Sequence, residues 1–194
     1  MDLESIKKEL KKNLSPKRYH HSEGVAHTAR DLARRYGADP EKAFLAGWLH
    51  DCAKEMKLPE MQYWVNQKGM HLDAYMMGSR ALLHGPAGSA CAELHFHISD
   101  PEILDAIVYH TTGKVHMTLM EKILFLADYI EPSRDFPGVG ELRRLAEKDL
   151  DAALLLAYDS TIRHLLDQGA YIYDLTFLGR NGLVLELESR KTKE

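Results

Sequence analysis

The stretch Met117–Glu131, MTLMEKILFLADYIE, decides the fold class. It is almost wholly apolar, and a helix of that kind belongs in the middle of a bundle. Pro132 ends it. Asp128 breaks its pattern, standing among Leu124, Phe125, Ala127 and Ile130 with no basic residue three or four places away. A carboxylate in an apolar helix needs a partner or a cation. The segment therefore predicts both a central helix and a metal ligand.

Working outward, the rest of the chain also reads as helices, stopped at Gly and Pro. Residues 2–13 have the pattern of a charged amphipathic helix. Ser15–Pro16 and Asp39–Pro40 pair an N-cap with proline at the first helical position, and Gly37 closes the helix that Ser15 opens. The helix after Asp39 is expected to run to about Lys54. A short helix is expected over 59–68. Pro86 marks a start reaching about His95, Asp100–Pro101 one ending near His110, and the last long helix covers about 149–167. Residues 171–181, YIYDLTFLGRN, lack a helical period and read as an ordered loop; the tail SRKTKE reads as frayed. Strand signals are weak everywhere, so the predicted class is all-α: a helical bundle with a metal site between core helices. One domain over 1–194 is expected, with a core at 15–181, an N-terminal helix in 1–14 and a C-terminal extension in 182–194.

Composition narrows the function. With 194 residues the chain is long enough to bury a core without disulfides. Lys+Arg is 25 and Asp+Glu 29, a net charge of −4, which argues against nucleic acid or an anionic membrane as the main partner. No apolar run, Ala152 to Tyr158 included, can span a bilayer. The N-terminus carries no apolar signal core, and two cysteines suggest a reducing compartment, so a cytoplasmic location is expected. Histidine is the outlier, at 11 residues.

His50–Asp51 ends the segment AFLAGWLHDCAK. Chance alone would supply about 0.8 such dipeptides, so the pair means little without its setting. Ala43, Ala46 and Gly47 share the face of His50, and Phe44 and Trp48 that of Asp51. Two ionisable groups thus end an apolar helix. In the helix after Ser15, His21 lies in line with Val25, Ala29 and Leu32, the core-facing stripe, whereas His20 lies with Gly24 and His27 on a more polar face. His21, His50, Asp51 and Asp128 then form a mixed imidazole and carboxylate set suited to Fe(II), Mn(II), Co(II) or Zn(II). His84 and His110 stand in settings that suit a second metal or a phosphate. His27, His71, His95, His97, His116 and His164 read as ordinary core or surface histidines, and Cys52 as a buried thiol.

The ordered set H…HD…H…H…D resembles the HD superfamily of metal-dependent phosphohydrolases. The longer strings RYHHSEGVAHTA, AGWLHDCAK, LHGPAGS, IVYHTTGKVHMTLMEKILFLADYIEPSRDFPGV and TFLGRN are similar to the YqeK family of bacterial symmetrical diadenosine tetraphosphate hydrolases. The likeness covers about residues 15 to 181. It implies an HD-domain bundle and metal ligation by His21, His50, Asp51 and Asp128, with iron the expected metal and Mn, Co or Zn as alternatives. It implies catalytic roles for Asp51, Lys54, His84 and His110. It implies substrate contacts from Arg18, Lys54, His84, His110, Thr111 and Arg134, and from Thr176, Arg180 and Asn181 on the late loop. The expected substrate is a dinucleoside polyphosphate, with ADP as product. A homodimer is expected only as an option that no residue specifies.

Three alternatives keep the same residues. The bundle could hydrolyse another nucleotide, such as a nucleoside mono- or triphosphate or guanosine tetraphosphate. It could be a non-catalytic sensor of ADP-like ligands, or a di-iron oxygenase.

Overall fold

The computed structural model describes residues 1–192. In chain order the described residues form α1 (Leu3–Asn13), α2 (Pro16–Tyr36), α3 (Pro40–Leu49), α4 (Leu58–Gln67), α5 (Ala74–Gly78), α6 (Arg80–Leu94), α7 (Pro101–Tyr109), α8 (Leu119–Ile130), α9 (Val139–Ala146), α10 (Leu150–Asp167) and α11 (Asp174–Lys191), with no strand among them. The fold is all-α. Lys193 and Glu194, the end of the tail read as frayed, lie outside the described residues.

Local chemistry explains the helix starts. Ser15 Oγ accepts from Arg18 N, Asp39 from Glu41 N and Lys42 N, and Asp100 from Glu102 N, each with proline at the first turn. Thr118 and Glu121 cap α8 reciprocally. Gly37, at φ +81°, closes α2. α8 lies at the centre and touches α2, α3, α7, α9 and α10. Its Met120, Ile123, Leu124, Leu126 and Ala127 are wholly buried. A smaller cluster of Ala53, Met61, Val65, Met76, Leu83 and Ala87 joins α4, α5 and α6 beside the main core.

Two close helix contacts set the scale of the site. A Cβ on Gly47 would lie 2.4 Å from Ala26 Cα, so only glycine lets α3 press onto α2. A Cβ on Gly85 would lie 2.7 Å from Val108 O, so α6 and α7 meet backbone to backbone, next to His84 and His110.

The structure departs from the sequence reading at four places. α3 stops at Leu49, and His50 to Glu55 form consecutive turns, with Cys52 N bonded to Leu49 O and Lys54 N to Asp51 O. α6 begins at Arg80, so Pro86 lies inside it. Burial of Leu83, His84, Gly85, Pro86 and Ala87 outweighs the hydrogen bond that proline removes. α5 and α9 are additional short helices. Residues 174–181, expected as loop, belong to α11. Its buried face is Thr176, Gly179, Gly182 and Leu183, a stripe of mostly small residues that carries no apolar period. Small residues are needed there: a Cβ on Gly179 would meet Tyr158 Oη at 2.6 Å and Lys114 O at 3.1 Å.

Candidate metal centre

Five buried side chains and one half-buried one converge where α2, the turn after α3, α6, the end of α7 and α8 meet. His21, His50, Asp51, His84 and His110 are all buried, and Asp128 is partly so. The imidazoles form an edge-on chain: His21 to His50 at 5.3 Å between ring centres, His50 to His110 at 5.0 Å, and His110 to His84 at 4.9 Å.

Three of the rings are fixed from behind. His50 Nδ1 donates to Gly47 O at 2.7 Å and His110 Nδ1 to Ile107 O at 2.7 Å. A carbonyl can only accept, so in the neutral rings Nε2 is left with a lone pair. His21 Nδ1 donates to Glu131 Oε1 at 3.0 Å, with the same result. Glu131 is buried and is held by Ser133 N at 2.7 Å and by the Ser133 hydroxyl. Carbonyl and carboxylate partners behind ligand imidazoles are the usual support of a metal site.

The freed lone pairs point at two carboxylates. His21 Nε2 lies 2.9 Å from Asp128 Oδ1 and 3.7 Å from Asp51 Oδ2. His50 Nε2 lies 3.4 Å from Asp51 Oδ2 and 3.8 Å from Asp128 Oδ1. Across Asp51, the Oδ1 oxygen faces His84 Nε2 at 3.3 Å and His110 Nε2 at 3.6 Å. Asp51 therefore divides the cluster, one oxygen toward each half. His21 Nε2, His50 Nε2 and Asp51 Oδ1 are buried without a hydrogen-bond partner. Buried acceptors in that state are costly, and a cation shared among them removes the cost. The donors fit a divalent metal: three overlapping groups, His21–His50–Asp51, His50–His110–Asp128 and Asp51–His84–His110, each bring their ligand atoms within 4.8 Å of one another.

Electrostatics agree with the geometry. Burial raises the Asp51 carboxyl, but positive charge at the imidazole positions around it, His50 first, outweighs burial and holds it well below the usual carboxylate range, a role that a cation among neutral rings would take. Asp128 is likewise raised by burial and lowered further by His21, His50 and Arg134. Burial, helped by Lys54 and His110, pushes His84 down to about 4, against the opposing pull of Asp51. His84 is thus neutral at pH 7, with a lone pair open to a ligand or acceptor role.

Around the cluster lie cations. Arg18 Nη1 donates to Asp51 Oδ2 at 2.6 Å, and Arg134 Nη2 to Asp128 Oδ1 at 2.5 Å. The reading of Asp128 as unpaired is therefore corrected. Its partner lies six residues on, beyond the helix end, where the three-or-four-residue rule does not look. Lys54 Nζ donates to His84 Nε2 at 2.9 Å, and Thr111 Oγ1 lies 3.1 Å from both His84 Nε2 and His110 Nε2. Cys52 is buried, its thiol toward Gly88 O.

The cluster opens into a cleft of about 680 Å³ whose lining includes Lys54, His110, Thr111, Asp128, Tyr129 and Arg134, and which extends along α10 to Arg163, His164 and Asp167. That volume falls within the range of about 300–1,000 Å³ for small-molecule sites. Thr176, Arg180 and Asn181 stand apart. They lie on α11 rather than a loop, none lines this cleft, and Arg180 Nε is bonded to Asp159 at 2.9 Å. The sequence reading missed Glu131, whose signal was a second carboxylate three residues after Asp128. It also left His164, which lines the cleft, among the ordinary histidines.

Comparison with known proteins follows the same lines. Residues 18–133 match the HD domain family. The chain is 44% identical over 177 residues to a protein of Halalkalibacterium halodurans named bis(5'-nucleosyl)-tetraphosphatase, symmetrical, covering 91% of this chain and 94% of that one. A Bacillus subtilis protein of the same name is 42% identical over 176 residues, covering 90% and 94%. A solved structure from Clostridium acetobutylicum, described as a "predicted HD superfamily hydrolase involved in NAD metabolism", superposes with a TM-score of 0.93 at 42% identity, covering 96% of this chain and 98% of that one.

Proposed function

The chain belongs to the HD domain family, and from that premise we propose that it is a metal-dependent phosphohydrolase that cleaves diadenosine tetraphosphate symmetrically, releasing two ADP. Relatives named for that reaction, matched over nearly their whole length, support the substrate. The observation that carries the chemistry is Asp51, whose two oxygens face two separate sets of unprotonated imidazole nitrogens.

His21, His50, Asp51 and Asp128 would hold one divalent cation, and His84, His110 and the other oxygen of Asp51 a second. Imidazole and carboxylate donors suit Fe(II), Mn(II), Co(II) or Zn(II), and iron is the metal proposed here. A cation bound there polarises a phosphoryl oxygen and lowers the pKa of water in its shell.

The chain's own residues do the rest. Asp51 is ionised and buried, so it can orient an attacking water as a hydrogen-bond acceptor between the two halves of the cluster. Neutral His84 offers an acceptor beside it. Lys54, Arg18 and Arg134, bonded to His84, Asp51 and Asp128 in turn, place positive charge where the bridging phosphates would lie. Thr111 can donate to a phosphoryl oxygen. Local cations of this kind explain how a chain of net charge −4 accepts a polyanion.

The test is a product assay. Protein purified without oxygen and loaded with Fe(II) or Mn(II) is incubated with diadenosine tetraphosphate, and the products are separated by anion exchange. ADP alone is expected, with Asp51→Asn at least about 10²-fold slower while still binding ADP. ATP plus AMP would overturn the symmetrical cut. An unchanged rate in Asp51→Asn would remove Asp51 from the mechanism.

A further inference from the structure

α10 changes character along one face. Ala153 and Ala157 are wholly buried against the core. The same stripe, continued at helical spacing, becomes Ser160, His164 and Asp167, and these line the cleft that leads to the histidine cluster. Beyond Ala157 the stripe leaves the core, and its polar side chains border the cleft. Arg163 lies beside this stripe and lines the same cleft.

The charges of the cleft single out Arg163. Arg134 is bound to Asp128, and Lys54 to His84 with Asp51 at 3.7 Å. Both are directed inward to the cluster, where they meet the phosphates held there. Arg163 is exposed and, among the described residues, its guanidinium makes no ion pair or hydrogen bond. Asp167, four residues on and in reach on the same helix, is not paired with it. Every internal phosphate of a polyphosphate chain carries a negative charge, and those held at the cluster leave the others without a counter-charge. A guanidinium can grip them with two parallel N–H donors.

We propose that Arg163, with Ser160 and His164 beside it, forms an outer phosphate subsite that holds the nucleoside diphosphate half lying away from the histidine cluster. The subsite makes the enzyme select a dinucleoside polyphosphate over a mononucleotide. This rests on the tetraphosphatase reading above. Arg163 touches no reacting atom, so it acts on affinity rather than on the chemical step.

The experiment compares wild type, Arg163→Gln and Arg163→Lys. Steady-state hydrolysis of diadenosine tetraphosphate is expected to show KM raised about tenfold in Arg163→Gln at nearly constant kcat, with Arg163→Lys between the two. Titration calorimetry of a non-hydrolysable, methylene-bridged analogue of the tetraphosphate against the metal-loaded protein reads the contact without turnover. There Arg163→Gln is expected to bind the analogue about tenfold more weakly, with ADP affinity little changed. Active wild type with equal KM and equal affinity in Arg163→Gln overturns the subsite and leaves the tetraphosphatase reading intact. Inactive wild type that binds the tetraphosphate through Arg163 overturns the hydrolase reading alone. Failure of wild type to bind the tetraphosphate at all overturns the subsite. Loss of ADP affinity equal to that for the tetraphosphate also overturns it, by placing Arg163 at the inner half.

Discussion

Glu131 does its work through His21. Its carboxylate accepts the Nδ1 proton, which aims Nε2 at Asp128 and fixes the ring. Gly24 makes room for it, because a Cβ there would lie 2.5 Å from Glu131 Oε2. Glu131→Gln is expected to weaken divalent metal binding by about tenfold or more, with the helical content unchanged. Gly24→Ala should act in the same direction by displacing the carboxylate. Titration of the metal-free variants with Mn(II) checks both, and wild-type affinity in Glu131→Gln would show that His21 is oriented by packing alone. Periodicity made His21 legible, since an inward histidine on an amphipathic helix stands out. It left Glu131 unread because the last residue of an apolar helix, next to proline, looks like a solvated end.

At the scale of the element, α11 shows how packing can hide a helix from its sequence. Its inner face is small because Tyr158 and the backbone of Lys114 already occupy the space. Gly179→Ala is expected to cost about 1–3 kcal/mol by overpacking, read as a lower urea midpoint with unchanged slope. A neutral outcome would mean that α11 can shift without loss. Pro86 is the converse case. A strong local stop signal lies within α6 because the burial of its neighbours compensates for one lost hydrogen bond. The starts at Ser15, Asp39, Asp100 and Thr118 were legible because side-chain caps are local chemistry and depend on no distant contact.

Across the whole molecule, ionic contacts tie α8, α10 and α11. Lys122 Nζ lies 2.8 Å and Arg190 Nη1 2.6 Å from Asp151. Burial raises the Asp151 carboxyl, but Lys122 and Arg190 outweigh it and hold it below its ordinary value. A carboxyl lowered on folding stabilises the protein above its unfolded pKa, about 3.9, and that contribution fades as pH falls through 3.9 toward the lower folded value. Asp151→Asn is therefore expected to lower stability by about 1–2 kcal/mol at pH 7. Melting curves of metal-free wild type and variant should converge as pH falls toward 3. A gap that stays constant would assign the loss to packing instead.

Among the described residues no helix is long and apolar enough to cross a membrane, as the absence of a long apolar run implied. The sequence alone determined the helical class, the central place of Met117–Glu131 and the inward-facing His21, His50, Asp51 and Asp128. Helical periodicity and capping are local, and a charged residue in an apolar stripe is conspicuous without a structure. Only the tertiary structure decided that Asp51 stands between two sets of imidazoles, that Arg134 reaches back to Asp128, that α11 is a helix, and that Arg163 shares a cleft with the cluster. Each of these depends on a distance between residues remote in the chain or beyond a helix end, which residue spacing along one helix does not encode.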